Sequence, residues 1–320
     1  MISLLNALPG AISQGLIWGI MAVGVYITFR ILDVADLTVD GSLATGGAVC
    51  VMLIRMGHNA YLALLCALLV GALTGLATAL LHTKCGIPAI LSGILSQLAL
   101  YSVNLRIMGG KSNQPVSVDK YNLLVSQRYV RSLSLNNPIF LILILLALLI
   151  AFLYWFFGTE KGCSIRATGS NKNMARAQGI NPDNDIILGL MLSNALVALS
   201  GALVAQYQGA VDVNMGRGAI VIGLAAVIIG EVIGDAILGK HMNFMTRLIF
   251  VVIGGIIYYI VIGIVLWLRM PSDNLKLFTA IIVAIFLAVP YLKGKSKSSF
   301  AKAGKRSASY SSAASHKEEK

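Results

Sequence analysis

Several uncharged apolar runs in this chain are long enough to cross a lipid bilayer. Pro138–Phe157 and Ile186–Gln208 contain no charged residue, and a helix of about 20 apolar residues spans the hydrocarbon core. The mean hydropathy is +0.82, and 12% of residues are charged, against about 25% in soluble domains. No run shows the alternation of a membrane β-barrel strand. The sequence predicts an all-α, polytopic transmembrane helical bundle of about 8–10 spans.

The apolar runs are separated by polar segments that set the expected order of spans. The second run is short and rich in Gly, Ala and Thr, which favours a helix inside the bundle. The seventh is too short for a straight crossing, so it is either a buried half-span or continues through Glu231. The candidate spans are 11–29, 42–56, 61–81, 87–108, 138–157, 186–208, 219–230, 244–268 and 277–291.

Basic residues are concentrated at the C-terminal end of the chain. The formal net charge is +12, and eight basic against two acidic residues after Leu292 supply half of it. Lysine clusters beside a membrane mark the cytoplasmic side and attract anionic lipid. No aromatic interleaving or known motif indicates a nucleic-acid partner. We predict a transmembrane domain over 1–292 and a basic, disordered cytoplasmic tail over 293–320.

The sides of the connecting segments follow from the position of this tail. Counting back through the last four runs places the polar segment 158–185 in the cytoplasm and the connection 109–137 outside. The connection carries four basic residues that oppose this assignment, but the lysine-rich tail outweighs them. The prediction is a multi-pass protein of the cell membrane with a cytoplasmic C-terminus.

The sequence shows no combination of side chains that is typical of an enzyme. Its apolar runs contain no His/Asp/Glu cluster and no nucleophile–base pair. The chain also lacks the Gly-x-x-x-x-Gly-Lys-Ser/Thr motif of nucleotide hydrolases, and its cysteines and histidines lack metal-ligand spacing. We therefore predict a protein that is not an enzyme and that holds no metal or cofactor. The cysteines and histidines are Cys50, Cys66, Cys85, Cys163, His58, His82, His241 and His316.

Acidic residues follow the first apolar run at helical spacing. Asp33, Asp36 and Asp40 would share one face of a helix. They could form a cation or substrate site. The favoured interpretation is an interfacial helix whose carboxylates face water, with Asp40 or Ser42 capping the next helix. Glu231 and Asp235 are interpreted as groups at the cytoplasmic edge, near Lys240, rather than as an ion site.

Polar side chains inside the apolar runs are candidates for a solute path. Groups such as Asn104, Asn194 and Gln206 are costly to expose to lipid, so they face neighbouring helices or a cavity. Hydrogen bonding between helices and lining of a path are equally compatible with the pattern. A path of this composition suits a small zwitterion or an uncharged polar solute, such as an amino acid, a nucleoside or a sugar.

The polar segment 158–185 interrupts the apolar chain and carries Lys161, Arg166, Lys172 and Arg176. Residues 171–178 can form two turns of helix, which the following glycine can end, and Asn-Pro then indicates a turn. A short basic helix at the membrane surface is typical of a docking element. Because the chain has no nucleotide-binding motif, nucleotide would have to act through a partner bound there.

Five stretches of the chain carry a resemblance to a known family: Arg166–Asn171, Met174–Asn181, Leu192–Ala202, Gln206–Gly209 and Ile222–Gly230. Over about 15–290, the chain resembles the permease subunits of bacterial ABC importers of the branched-chain amino acid and ribose type. Residues 29–32 and 36–42 are similar to a subgroup often associated with aromatic amino acids.

The resemblance implies both an activity and a set of partners. The chain would be the permease subunit of a bacterial importer, forming the path for a small solute, an amino acid, that an external substrate-binding protein delivers. A second permease copy and two cytoplasmic ABC ATPase subunits would complete the complex. The family's cytoplasmic coupling helix would lie in the segment 158–185, although the glutamate that often precedes its Ala-to-Gly pattern is absent. The residues that fall in that element are Arg166, Asn171, Ala175, Arg176, Gly179 and Asn181.

An ion-coupled secondary transporter of a small polar solute is the alternative. Such transporters use ionisable residues at mid-membrane and are built from inverted repeats. This sequence has almost no ionisable residue within its apolar runs and no evident internal repeat. Dependence of uptake on ATP would separate the two functions.

Overall fold

The computed structural model describes residues 2–130, 137–239 and 242–267, and the helical positions 277, 280, 281, 284 and 288. The chain divides into two units, 1–272 and 273–320, and the bundle below belongs to the first. The predicted ninth span and tail lie largely or wholly outside the described residues, so that domain boundary stays a prediction. The elements are α1 (Ile2–Tyr26) with a π-helical turn (Ile27–Ile31), α2 (Val39–Arg55), α3 (Ala60–Thr83), α4 (Ala89–Ile107), β1 (Asn113–Pro115), a 3-10 turn (Gln127–Tyr129), α5 (Pro138–Gly158), α6 (Glu160–Ser170), α7 (Lys172–Ala177), α8 (Pro182–Gln208), β2 (Ala210–Asp212), α9 (Ala219–Ile237) and α10 (Phe244–Trp267).

The apolar runs of the sequence form long helices in the structure, which confirms the predicted all-α polytopic bundle. Within the described ranges, seven helices are long and apolar enough to cross a membrane. α2, the predicted second span, has 17 residues and is not among them. It is buried along most of its length, in agreement with the interior position that its small residues predicted. The seven spans are 8–31, 60–83, 89–107, 138–158, 182–208, 219–237 and 244–265.

The 27-residue helix α8 lies at the centre of the bundle, with its second half almost entirely buried. α1 runs antiparallel to it, because Ile17 O accepts from Ser200 Oγ and Gly24 O accepts from Ser193 Oγ, both at 2.8 Å. α2 crosses α8 at backbone contact distance. A Cβ on Gly201 would overlap the Leu43 carbonyl, so this crossing requires glycine.

Two helices begin inside the bundle rather than at its surface. After α1, residues 32–38 fold back into the bundle without helical structure, and α2 starts beside the middle of α8. α9 likewise starts at Gly218, whose backbone N–H contacts Asp40 at the beginning of α2. Irregular backbone at membrane depth requires burial in protein or a water-filled cavity. α9 therefore starts inside the bundle, as expected of a buried half-span, and it also continues through Glu231, as the second alternative predicted.

The bundle has two distinct polar ends. At one end β1 pairs antiparallel with β2, and Val116 N donates to Gly209 O at 2.8 Å. At the other end α6 and α7 precede the first residue of α8. The predicted placement of 109–137 and 158–185 at opposite ends is therefore confirmed over the described positions. Which end faces the cytoplasm stays a prediction.

Candidate functional site

The segment α6–α7 has a side-chain cap at the start of each helix. Thr159 Oγ1 accepts from Gly162 N at the start of α6, and Asn171 Oδ1 accepts from Met174 N at the start of α7, at 3.0 Å. Gly179, with φ of +80°, follows α7, and Asn181 caps α8. The helix predicted over 171–178 is confirmed as the six-residue α7. It begins at Asn171 because the asparagine side chain satisfies backbone N–H groups that would otherwise be unpaired.

The buried carboxylate of Asp185 links α6 to the central helix α8 through hydrogen bonds. Asp185, in the first turn of α8, accepts from Ser164 Oγ at 2.5 Å and from Thr168 Oγ1 at 2.7 Å through Oδ2. On the other side of α6, a Cβ on Gly169 would overlap the Ile31 carbonyl at the end of α1. α6 is thus clamped between α1 and α8. Asp185 was not predicted as a site residue. Its signal in the sequence is an acidic residue near the start of a helix, with hydroxyl residues in the segment before it.

α7 itself presents a polar face with one large apolar side chain. Met174 is 64% exposed, and Lys172, Asn173 and Arg176 are exposed around it. Ala175 is buried against the chain. The side chains available to a partner are therefore Met174 and its polar neighbours, whereas Ala175 fixes α7 to the bundle.

Three arginine side chains line a cleft beside α6. The cleft has a volume of about 490 Å³, and Arg30, Arg166 and Arg247 contribute to its wall. Arg30 Nε lies 2.9 Å from Glu231 Oε1, and the Arg166 guanidinium lies 5.8 Å from the centre of the Phe244 ring. Glu231 was predicted near Lys240, which lies outside the described residues. Among the described residues, three guanidinium groups stand against the one carboxylate of Glu231, so the cleft favours an anionic partner surface.

The structure brings five predicted coupling residues together in or beside α7: Asn171, Ala175, Arg176, Gly179 and Asn181. Arg166 lies on α6 and lines the arginine cleft. Asn171 and Asn181 act as helix caps here, and Gly179 adopts the left-handed conformation that favours glycine. The coupling role of all six stays a prediction.

A buried polar network connects four helices at the level where α2 begins. Asn194 Nδ2 donates to Asp36 Oδ2 at 2.7 Å, and Asn194 Oδ1 accepts from Ser42 Oγ at 2.6 Å. Ser42 also bonds Thr74 of α3, and further hydroxyl contacts reach α4 through Ser96. The predicted interfacial helix with water-facing carboxylates is therefore wrong for Asp36, which is 2% exposed in a non-helical segment.

Asp40 and Gln206 also have identifiable partners. Asp40 Oδ2 and Oδ1 accept from Gly218 N and Ile220 N, both at 2.9 Å, so Asp40 caps α9 rather than its own helix. Gln206 Oε1 accepts from Leu124 N at 3.1 Å, which ties the 109–130 segment to α8. Asn194 and Gln206 are both 0% exposed, and both make hydrogen bonds between parts of the bundle.

Asn104 is in a different environment, because it lines an open cavity of about 380 Å³. Its side chain is 1% exposed, and its Oδ1 has no hydrogen-bond partner in the described part of the chain. Of the three predicted path residues, Asn104 alone appears in the wall of this cavity. The path role of each one stays a prediction. The cavity is lined by Asp40, Gly41, Gln97, Leu98, Tyr101, Asn104, Val213, Asn214 and Arg217.

Comparison with known proteins gives a consistent family. The model of the family described as "Branched-chain amino acid transport system / permease component" matches residues 8–290. A tyrosine transport system permease protein of Clostridioides difficile is 39% identical over 298 residues, covering 93% of this chain and 96% of that protein. A ribose import permease protein of Escherichia coli is 27% identical, covering 85% and 87%. No solved structure matches the chain.

The family match agrees with the apolar helices and with the resemblance carried by the α6–α8 region. It covers most of the chain, including every long helix of the described bundle. The chain belongs to the permease-component family of branched-chain amino acid transport systems, and it is the membrane-spanning permease subunit of an ABC importer for a small solute.

Proposed function

We propose that this chain, as a homodimer in the bacterial cell membrane, forms the path for an amino acid delivered by an external substrate-binding protein. Cytoplasmic ABC ATPase subunits bind at α6–α7 and supply the energy. Tyrosine is the first candidate substrate, because the relative with 39% identity is named for tyrosine transport. The relative named for ribose import has lower identity.

The proposal rests on the packing of α6, which precedes α7 and contacts both α1 and α8. A docking helix transmits a rigid-body movement only when it is fixed to the spans that must move. Here Asp185 fixes α6 to α8, and the close contact of Gly169 with Ile31 fixes it to α1. A tilt imposed on α7 would therefore move α1 and α8 together.

Reconstitution tests this function directly. The permease is placed in liposomes with its ATPase subunits and its external binding protein, and uptake of radiolabelled L-tyrosine is measured. We expect uptake that requires ATP inside the liposomes and the binding protein outside them. Uptake that persists without ATP and follows a proton gradient would support the alternative, an ion-coupled secondary transporter.

The proposed orientation can be tested with native cysteines. Cys85, in the α3–α4 link, and Cys163, on α6, are both exposed. They belong to the same end, since Gly71 and Gly75 of α3 contact α8 in antiparallel order. With that end in the cytoplasm, a membrane-impermeant maleimide should label inside-out vesicles but not intact cells. A Cys85→Ser/Cys163→Ser variant should lose the labelling, and labelling of these cysteines in intact cells would reverse the orientation.

A further inference from the structure

We propose that the cavity between α2, α4 and the start of α9 is a binding site for an α-amino-acid zwitterion during its passage. Arg217 binds the carboxylate, and Asn104 Oδ1 accepts a hydrogen bond from the ammonium group. This assignment rests on the proposed function, because it names the chemistry that the permease itself recognises. It concerns this chain, separately from any selection by the external binding protein.

The cavity is at the depth where α2 begins, and it opens at the side of the chain, since Leu98 in its wall is 65% exposed. Its wall includes Asp40, at the start of α2, and α2 extends about 22 Å from there to Arg55, at about 1.5 Å per residue. Arg55 contacts Gln114 beside the β1–β2 pair, at the polar end. The neighbours of Arg217 in sequence contact Asp40 directly, since Gly218 N donates to its carboxylate. Arg217 is therefore attached at the depth where α2 and α9 begin.

Among the residues that the structure describes, no carboxylate pairs with the charge of Arg217. Its side chain is exposed in the cavity wall. The acidic residue of the cavity, Asp40, already accepts two backbone hydrogen bonds through its two oxygens. An ionisable group inside a membrane bundle is expensive and is typical of a solute pathway. The planar guanidinium suits a carboxylate, which it can bind through two parallel hydrogen bonds.

Asn104 supplies an independent indication of a ligand. Its amide is 1% exposed, and Oδ1 accepts no hydrogen bond from the described residues. A buried acceptor left unpaired is unfavourable, because its lost hydration is not replaced. Gln97, Tyr101 and Asn104 follow one another at spacings that place them on one face of α4, and all three line the cavity. Because this oxygen has less than 1 Å² of accessible surface, the amide has to turn toward the cavity for a ligand with a hydrogen-bond donor to satisfy Oδ1.

These groups together select a chemical class. The cavity offers one cation for an anionic group and one free acceptor for a donor, which matches the two ends of an α-amino acid. Its volume of about 380 Å³ lies in the range of small-molecule sites. Tyr101 and Leu98 provide an aromatic and an apolar surface for the side chain. A sugar or a neutral nucleoside has no carboxylate and would leave Arg217 unpaired.

The test uses the reconstituted complex and L-tyrosine as the probe. Arg217→Gln removes the charge that would bind the carboxylate. The amount of tyrosine taken up per ATP hydrolysed should therefore fall at least about tenfold, which corresponds to about 1.4 kcal/mol. Arg217→Lys keeps the charge without the planar fork, so its uptake should be intermediate. Arg106→Gln is the matched control: Arg106 is an exposed arginine on α4 outside the cavity wall, and uptake should be unchanged.

Asn104→Leu is the second variant, and its melting temperature shows whether a loss of uptake comes from misfolding. It should lower tyrosine uptake per ATP severalfold without lowering the melting temperature. Uptake and hydrolysis that fall in the same proportion in Arg217→Gln would show an effect on coupling and overturn the site, as would normal uptake in that variant. The proposed function is tested by ATP dependence of the unchanged complex, whereas this site is tested by the ratio between variant and unchanged complex.

Discussion

Replacing Asn194 by leucine is expected to destabilise the permease far more than the same replacement of Asn104. Both side chains are almost completely buried, but their partners differ. Asn194 bonds Asp36 and Ser42 at 2.7 and 2.6 Å, so its loss leaves a buried carboxylate and a hydroxyl with fewer partners. We expect the free energy of unfolding to fall by about 2–3 kcal/mol.

Asn104→Leu should leave the free energy of unfolding unchanged or raise it slightly. Its Oδ1 has no partner to lose in the described bundle, and an apolar group of similar size removes an unsatisfied acceptor. Melting curves of the two purified variants in the same detergent measure the difference directly. A drop of equal size in both would show that Asn104 is also a structural group, and an unchanged melting temperature for Asn194→Leu would contradict the role assigned to the polar network.

The sequence could predict these asparagines as polar groups inside spans, but it could not separate their roles. The partners of Asn194 are 152 and 158 residues away along the chain. Local composition around Asn104 and Asn194 is similar: apolar residues with scattered hydroxyls. Whether such a group meets another polar group or an open cavity depends on how the helices cross, which a single sequence does not contain.

The segment after α1 shows the same limit for secondary structure. The spacing of Asp33, Asp36 and Asp40 predicts a helix, yet residues 33–36 are not helical and Asp33 has φ of +55°. The acidic side chains form tertiary hydrogen bonds instead, Asp36 to Asn194 and Asp40 to the start of α9. Burial of the carboxylates with their partners outweighs the weak local preference. Long apolar runs and the short helix that Gly179 ends are local signals, and there prediction and structure agree. At Asn181-Pro182, where a turn was predicted, α8 begins instead.

Replacing Met174 by glutamate is expected to weaken binding of the ATPase subunit to the permease. Met174 projects from α7 and is 64% exposed, so nothing in the described bundle holds it, and it is the large apolar side chain on the face that we propose for docking. A charge placed at the centre of a desolvated contact costs at least about 2 kcal/mol. The dissociation constant of the ATPase subunit should therefore rise at least about 30-fold, and ATP hydrolysis stimulated by the loaded binding protein should fall.

The matched control is Met56→Glu. Met56 is 68% exposed, follows α2 and lies at the opposite end of the bundle from α7, so the same change in charge should leave ATPase binding intact. Titration of the ATPase subunit onto permease in lipid nanodiscs measures both constants. Because Ala175 is buried, a bulky residue there would disturb α7 itself, which makes Met174 the better probe of contact. Equal affinity for the Met174→Glu and unchanged permeases would place the ATPase contact elsewhere, and the clamp formed by Asp185 would then need another explanation.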